Sequence, residues 1–170
     1  MQLIRPILKT VTPTDSRIVS TLRTKNEIFG ELVVDTRIHE DGYNRLISEI
    51  KNRMGKTLGE EIFSIDNKNK TMFGYLIETL PEYRQKGYGF GELMRLSSII
   101  TMIENNIQKL KITSKNTAIN FHKKYKFQPA EIASTAPKKY LDMELTTQDI
   151  IENKNFFNEL FKKHGIDYEI

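Results

Sequence analysis

The sequence predicts a mixed α/β or α+β protein, and three observations carry that prediction. From residue 60 onward, strand-type and helix-type runs alternate along the chain. No repeat, low-complexity tract or long linker divides the 170 residues, a length that fits one domain with a sizeable core. Hydrophobic residues make up 38% and charged residues 28%, the balance of a chain that folds around such a core.

The elements follow in order. LIRPIL, at 3–8, reads as a short strand that Pro6 confines to an edge or an end. TPTDSRIVSTLRTKN, at 12–26, opens on Thr and Asp as helix-start signals and reads as a short helix. EIFGELVVDTRI, at 27–38, is ambiguous: its β-branched residues argue for a strand and Gly30 interrupts it. In 41–54, Tyr43, Leu46, Ile47, Ile50 and Met54 fall at helical spacing, with Gly55 as the C-terminal cap. The run 61–80 reads as a hairpin around the turn-rich Asp66-Asn67-Lys68-Asn69. Leu96, Ile100, Ile103 and Ile107 make the stripe of a helix over 91–107, widened by Leu93, Ile99 and Met102. KLKITS then reads as a strand, NTAINFHKKY as a short helix and YLDMEL as a strand. Thr146 with Asp149 resembles a capping box, opening a last helix in which Ile150, Phe157, Leu160 and Phe161 face one way and which ends at Gly165. Phe156, Phe157, Leu160 and Phe161 read as core packing, with a homodimer contact as the minor reading.

Composition excludes several classes. No run of 18 apolar residues is present, so no membrane-spanning helix is expected. The N-terminal apolar piece is broken by Arg5 and Pro6 and is not a signal peptide. Cysteine is absent, which removes disulfides and thiolate metal sites; a cytoplasmic location is the simplest reading. His39 and His164 show no metal-ligand spacing with carboxylates, so no metal is expected. The net charge of +4 mildly favours anionic partners.

The stretch PEYRQKGYGFGEL, at 81–93, places Gly87, Gly89 and Gly91 beside Arg84 and Lys86, between a strand and a helix. A helix N-terminus presents unpaired N–H groups and partial positive charge, and glycines let phosphates approach them. The stretch therefore describes a diphosphate seat; the plainer reading is a turn that needs glycine. Its G-x-G-x-G spacing is neither the dinucleotide G-x-G-x-x-G nor the P-loop G-x-x-x-x-G-K-[ST].

Arg84-Gln85-Lys86-Gly87-Tyr88-Gly89 matches R-x-x-G-x-G and resembles the acyl-CoA pyrophosphate motif of the GNAT N-acetyltransferase superfamily. KLKITSKNTAINFHKKYKF is similar to that family's strand-then-helix ending, N-x-x-A-x-x-F-Y-x-K-x-G-F. Asn116, Phe121, Lys124 and Phe127 keep the pattern approximately; Ala118 arrives one residue early, and Lys126 replaces the glycine. The resemblance covers 60–145 well and 1–59 loosely, and leaves 146–170 as a C-terminal helical extension of a single domain. It implies a GNAT-like, mostly antiparallel central sheet flanked by helices. Only one strand fits between the hairpin turn and PEYR, where the family has two; either EIFGELVV supplies the missing strand or the sheet is shorter.

The resemblance also implies acetyl-CoA as cofactor and roles for particular residues. The pantetheine arm would pair with the backbone of Ile77 to Thr79. Backbone N–H groups of Gln85, Gly87 and Gly89 would hold the pyrophosphate, with Arg84 and Lys86 adding charge and the Tyr88 side chain relatively free. Asn116 matches a position that often hydrogen-bonds the cofactor. The family's thiolate-protonating tyrosine is replaced in Phe121-His122, which leaves His122, Tyr125 one turn later, or no protein acid at all. An imidazole that titrates near pH 7 serves as acid or base. As base, Glu78 lies beside the expected acyl group, with Glu60 and Glu61 behind it. The implied activity is acetyl-CoA-dependent N-acetyl transfer, in which a primary amine of a small molecule, peptide or protein attacks the acetyl donor directly. Aminoacyl-tRNA fits the basic balance, although no arginine-rich patch demands it. The alternatives are a CoA-binding regulatory or interaction module without turnover, and an unrelated α/β protein whose glycines make a turn.

Overall fold

The computed structural model describes residues 18–26, 28–38, 45–79, 87–130 and 139–170. Ile18–Asn26 (β1), Gly30–Ile38 (β2), Arg45–Lys51 (β3), Thr57–Asp66 (β4) and Thr71–Thr79 (β5) come first. Phe90–Glu104 (α1), Lys109–Lys115 (β6), Ile119–Lys124 (α2), Gln128–Pro129 (β7) and Tyr140–Thr146 (β8) follow. Thr147–Glu152 (α3) and Lys154–Lys163 (α4) end the order. The strands form one sheet in the order β1-β2-β3-β4-β5-β6-β8-β7. All neighbours are antiparallel except β5 and β6. A parallel pair needs a long crossover, and α1 is part of it. This is the mixed, mostly antiparallel sheet flanked by helices that the family resemblance implies.

Helix α1 is covered on nearly all sides, and its buried positions include Glu92, Arg95, Ser97, Ser98 and Thr101 beside its apolar residues. Leu93, Met94, Leu96, Ile99, Ile100 and Met102 are buried between the sheet and the C-terminal helices. Phe157 and Phe161 of α4 enter this core, and Phe156 and Leu160 pack half-buried against it. Beyond α4 the chain runs extended, with Ile166, Tyr168 and Ile170 buried at alternate positions. Lys25 N–H donates to the His164 carbonyl at 2.9 Å, so this segment reaches back to β1.

Three expectations change, and one open alternative is decided. Residues 18–26 are a strand, not part of a helix. The inward positions of this strand include Ser20 and Thr24 beside Leu22, and polar residues on the buried face hide the alternation. Residues 45–51 are also a strand. Leu46, Ile47 and Ile50 are all buried because both faces of this inner strand are covered, and that gives the i, i+1, i+4 spacing of a helix. Gly55, at φ +79°, turns the β3–β4 hairpin; the Asn52 carboxamide oxygen accepts there from the Met54 and Lys56 N–H groups, each at 3.0 Å. The sheet is not shortened: EIFGELVV runs into β2. The last helix is two helices with a break at Asn153. Its start is as read: Asp149 N–H donates to Thr146 Oγ1 at 3.1 Å, and Thr146 N–H to Asp149 Oδ2 at 3.2 Å. LIRPIL lies outside the described residues.

Candidate active site

Strands β5 and β6 pair only from Thr71↔Lys109 to Gly74↔Ile112. The register of β4 on β5 shifts at the same place. Ile62 faces Leu76 and Phe63 faces Gly74, so Tyr75 is a bulge. A bulge bends its strand and increases the local twist, and here it carries the rest of β5 away from β6. Gly74 leaves room at the parting point: a Cβ there would stand 3.1 Å from Ile112 Cγ2 and 3.7 Å from Glu61 Oε1. A cavity of about 290 Å³ opens in the gap, with Glu61, Gly74, Arg95, Ser114, Lys115 and His122 on its wall.

Two of those residues form a buried pair. Arg95 Nη1 donates to Glu61 Oε1 at 3.0 Å, and neither residue is exposed. Glu61 Oε2, Arg95 Nε and Nη2, and His122 Nδ1 have no hydrogen-bond partner among the described residues. Buried polar atoms are ordinarily paired, so such a cluster beside a cavity is suited to a polar ligand. Burial pushes the Glu61 carboxyl up to about 7, and the opposing pull of Arg95 only partly offsets it. Burial, and then the Arg95 guanidinium, push His122 down to about 3. Its ring is therefore neutral at pH 7, whereas the sequence reading entertained an imidazole titrating near pH 7. Tyr125 is not on the described cavity wall. Its hydroxyl donates to Glu92 Oε1 at 3.0 Å, and burial together with the Glu92 charge raises the phenol above its ordinary range.

The glycine stretch ends at the N-terminus of α1, and its three glycines have different reasons. Gly87 has φ +74°, and a Cβ there would meet nothing within 4 Å. Gly89, at φ +75°, is the N-cap of α1 and makes no side-chain cap bond. A Cβ on Gly89 would stand 3.3 Å from His164 Cε1. Gly91 lies inside the helix, and a Cβ there would meet the Phe121 ring at 3.2 Å, so α1 and α2 touch through a missing side chain. Tyr88 packs edge-on against Phe29, with ring centroids 5.1 Å apart. The open side of Gly87 and the unpartnered atoms of the cavity fit an acyl-CoA: a phosphate approach at one end and a polar pocket at the other.

The other residues named from sequence fall around this frame. Ile77, Glu78 and Thr79 lie on β5 past the end of the β6 ladder, their backbones paired to Glu61, Glu60 and Gly59 of β4. Arg84, Gln85 and Lys86 lie outside the described residues. Asn116 opens a single 3₁₀ turn after β6, and its N–H donates to the Lys139 carbonyl at 3.1 Å. With Lys115, Thr117, Lys139 and Tyr140 it lines a second hollow of about 310 Å³, and Lys115 belongs to both cavities. The structure thus brings His122 to the parting of the strands and leaves Tyr125 with Glu92. Sequence reasoning missed Arg95 and ranked Glu61 behind Glu78. The available signal for Arg95 was its place in LMRLSSII, a charge amid the apolar run of a helix. Among the described residues no three His, Asp or Glu side chains gather to hold a metal. No described helix is long and apolar enough to cross a membrane.

No family model matches the chain, and no curated protein sequence does. Solved structures do. Tetrahymena GCN5 aligns at a TM-score of 0.52 and 17% identity, covering 62% of this chain and 69% of its own. Spermidine N-acetyltransferase from Vibrio cholerae, in complex with CoA and spermine, aligns at 0.54 and 12% identity, covering 66% and 70%. Nourseothricin acetyltransferase aligns at 0.51 and 16% identity, covering 81% of this chain and 96% of its own. With β5 and β6 parted over a cavity and a glycine-capped helix between them, the chain has the fold of the GNAT N-acetyltransferases.

Proposed function

We propose that this protein is an acetyl-CoA-dependent N-acetyltransferase acting on a primary amine. The observation that supports this best is the cavity where β5 and β6 part, with Arg95 of the glycine-capped helix α1 on its wall. Acyl transfer to an amine needs the donor held in place, the amine deprotonated and the leaving thiolate protonated. On this reading the N–H groups at Gln85, Gly87 and Gly89 and the charges of Arg84 and Lys86 take the pyrophosphate, and Tyr88 packs beneath. The backbone of Ile77 to Thr79 takes the pantetheine arm, and Asn116 with its neighbouring lysines flanks it. Acetyl-CoA supplies the activated acetyl group. His122, held neutral, offers a hydrogen bond at the cavity and not an imidazolium proton. Tyr125 supports the start of α1 through Glu92 and is the weaker candidate for the acid. Glu78 keeps its position past the end of the ladder as a candidate base.

The acceptor is a small-molecule, peptide or protein amine. The named neighbours include a spermidine and a nourseothricin acetyltransferase, which favours a small amine over aminoacyl-tRNA. Isothermal calorimetry with acetyl-CoA tests the reading. Binding with thiol release in the presence of amines supports it. Binding without thiol release converts it to a CoA-binding regulatory module, and absence of binding at millimolar acetyl-CoA ends it.

A further inference from the structure

We propose that Glu61 is the proton-transfer residue of this site, taking a proton from the acceptor ammonium and returning one to the departing sulfur. The inference rests on the acetyltransferase reading and names a residue from β4, not from the strand that would hold the pantetheine. Glu61 stands on the wall of the cavity where the strands part. Its Oε1 is held by Arg95, and its Oε2 has no partner among the described residues. Gly74, directly above, has no side chain to cover the carboxyl.

The surrounding charges keep the carboxyl useful in both directions. Among the described residues, Arg95 of α1 is the charged group that pairs with it. Ser48 of β3 lies opposite in the ladder, and His122 of α2, Lys115 of β6 and Tyr75 of β5 stand around the cavity. A carboxyl that titrates at about 7 accepts a proton from an ammonium and gives it up to a thiolate near neutral pH. His122, lowered to about 3, is a base weaker by about 10⁴-fold and is protonated too rarely to serve as the acid.

The step balances as follows. The acceptor ammonium gives one proton to Glu61 and becomes a neutral amine. Its nitrogen forms a C–N bond with the thioester carbonyl carbon, the C–S bond breaks, and the nitrogen loses a second proton. One of the two protons reaches the sulfur from Glu61, and the other leaves to solvent. No oxidant or metal is required.

Three measurements on wild type and Glu61→Gln test this, the glutamine being chosen because it keeps a hydrogen bond to Arg95. In the first, ¹³C NMR of carboxyl-labelled glutamate follows the resonance that Glu61→Gln removes. A midpoint near 7 supports the proposal, and one in the ordinary glutamate range overturns it. In the second, calorimetry with acetyl-CoA should give affinities within about twofold in the two proteins. Failure of wild type to bind defeats the acetyltransferase reading itself, separately from the role of Glu61. In the third, thiol release is compared with spermidine, an ammonium at neutral pH, and with hydroxylamine, which is largely unprotonated there. Glu61→Gln should lose roughly 10²–10⁴-fold with spermidine and lose its rate limb near pH 7, and should lose less with hydroxylamine, which needs no prior deprotonation but still needs a proton at the sulfur. Equal loss with both acceptors, or no loss with spermidine, overturns the proposal. So does a wild-type protein that binds acetyl-CoA and acetylates neither.

Discussion

Glu92 Oε2 lies 2.7 Å from His164 Nε2, a residue 72 positions further along the chain, and this contact ties the first turn of α1 to the C-terminal segment. The same carboxylate accepts from Lys163 Nζ at 2.8 Å and from the Tyr125 hydroxyl at 3.0 Å. Burial alone would raise its pKa, but the hydrogen bonds from His164, Lys163 and Tyr125 reverse that and hold it well below the carboxylate range. A depressed carboxyl contributes stability that is complete above its ordinary value of 4.5 and is lost as pH falls below it. Glu92→Ala should cost about 3 kcal/mol at pH 7, since it strands several donors. Glu92→Gln should show less loss of stability between pH 4.5 and 3 than wild type. Urea denaturation across that range measures both.

His122 makes a second pH prediction in a different window. Its folded value is about 3 against 6.5 in the unfolded chain. The unfolded state therefore takes up a proton near pH 6.5 that the folded state refuses, and stability falls as pH drops from 6.5 towards 3. The slope from this group alone approaches about 1.4 kcal/mol per pH unit. Urea midpoints of wild type and His122→Gln should diverge steadily over pH 6.5 to 4.5, with the variant the flatter. Parallel curves would mean that the histidine titrates normally.

The glycines at 87 and 91 should separate by phenotype. Gly91→Ala pushes a methyl group into the Phe121 ring and should cost about 1–3 kcal/mol in unfolding free energy. Phe121→Leu in the same chain should restore part of that. Gly87→Ala meets no atom but must hold φ +74°, at a cost of about 1–2 kcal/mol. Its larger effect should be on acetyl-CoA affinity, since the methyl group stands where the pyrophosphate is proposed to approach. Calorimetry and chemical denaturation on both variants distinguish the two roles.

Lys126 occupies the position where the resembling family carries glycine, and it pays for that with φ +73°. Its ammonium lies 4.5 Å from the centroid of the Phe156 ring, which offsets part of the strain. The left-handed conformation costs about 1–2 kcal/mol and a cation–π contact at such a site returns about 0.5–1. Lys126→Gly should therefore stabilise the protein slightly, by about 0.5 kcal/mol, and more so in a Phe156→Ala background. Thermal denaturation of the two singles and the double reads this coupling.

Much of the architecture after residue 60 was legible because its local signals agree with one another. The Asp66–Asn69 turn, the stripe on α1, the alternation of β6 and the Thr146–Asp149 box each state one structure. Before residue 60 the signals mislead. Ser20 and Thr24 face inward, and Ile47 is buried on the second face of its strand, so two strands carried helix-like spacing. At the site, the glycine loop was readable because backbone freedom is written in residue type. The Glu61–Arg95 pair was not, because the two are 34 residues apart and only the sheet and α1 together bring them into contact. The bulge at Tyr75, which opens the cavity, has no composition of its own; Gly74 beside it was the nearest hint.

The hydrogen bond from Lys25 to the His164 carbonyl has a consequence for biosynthesis. One of the first described strands and the lower flank of α1 are completed by residues after 157. During translation the hairpins β1–β2, β3–β4 and β4–β5 can form as they emerge, but α1, buried on nearly every side in the folded chain, lacks part of its cover until α4 is made. The cover that Phe157 and Phe161 give the core therefore becomes available only after α1 and the whole sheet have been made.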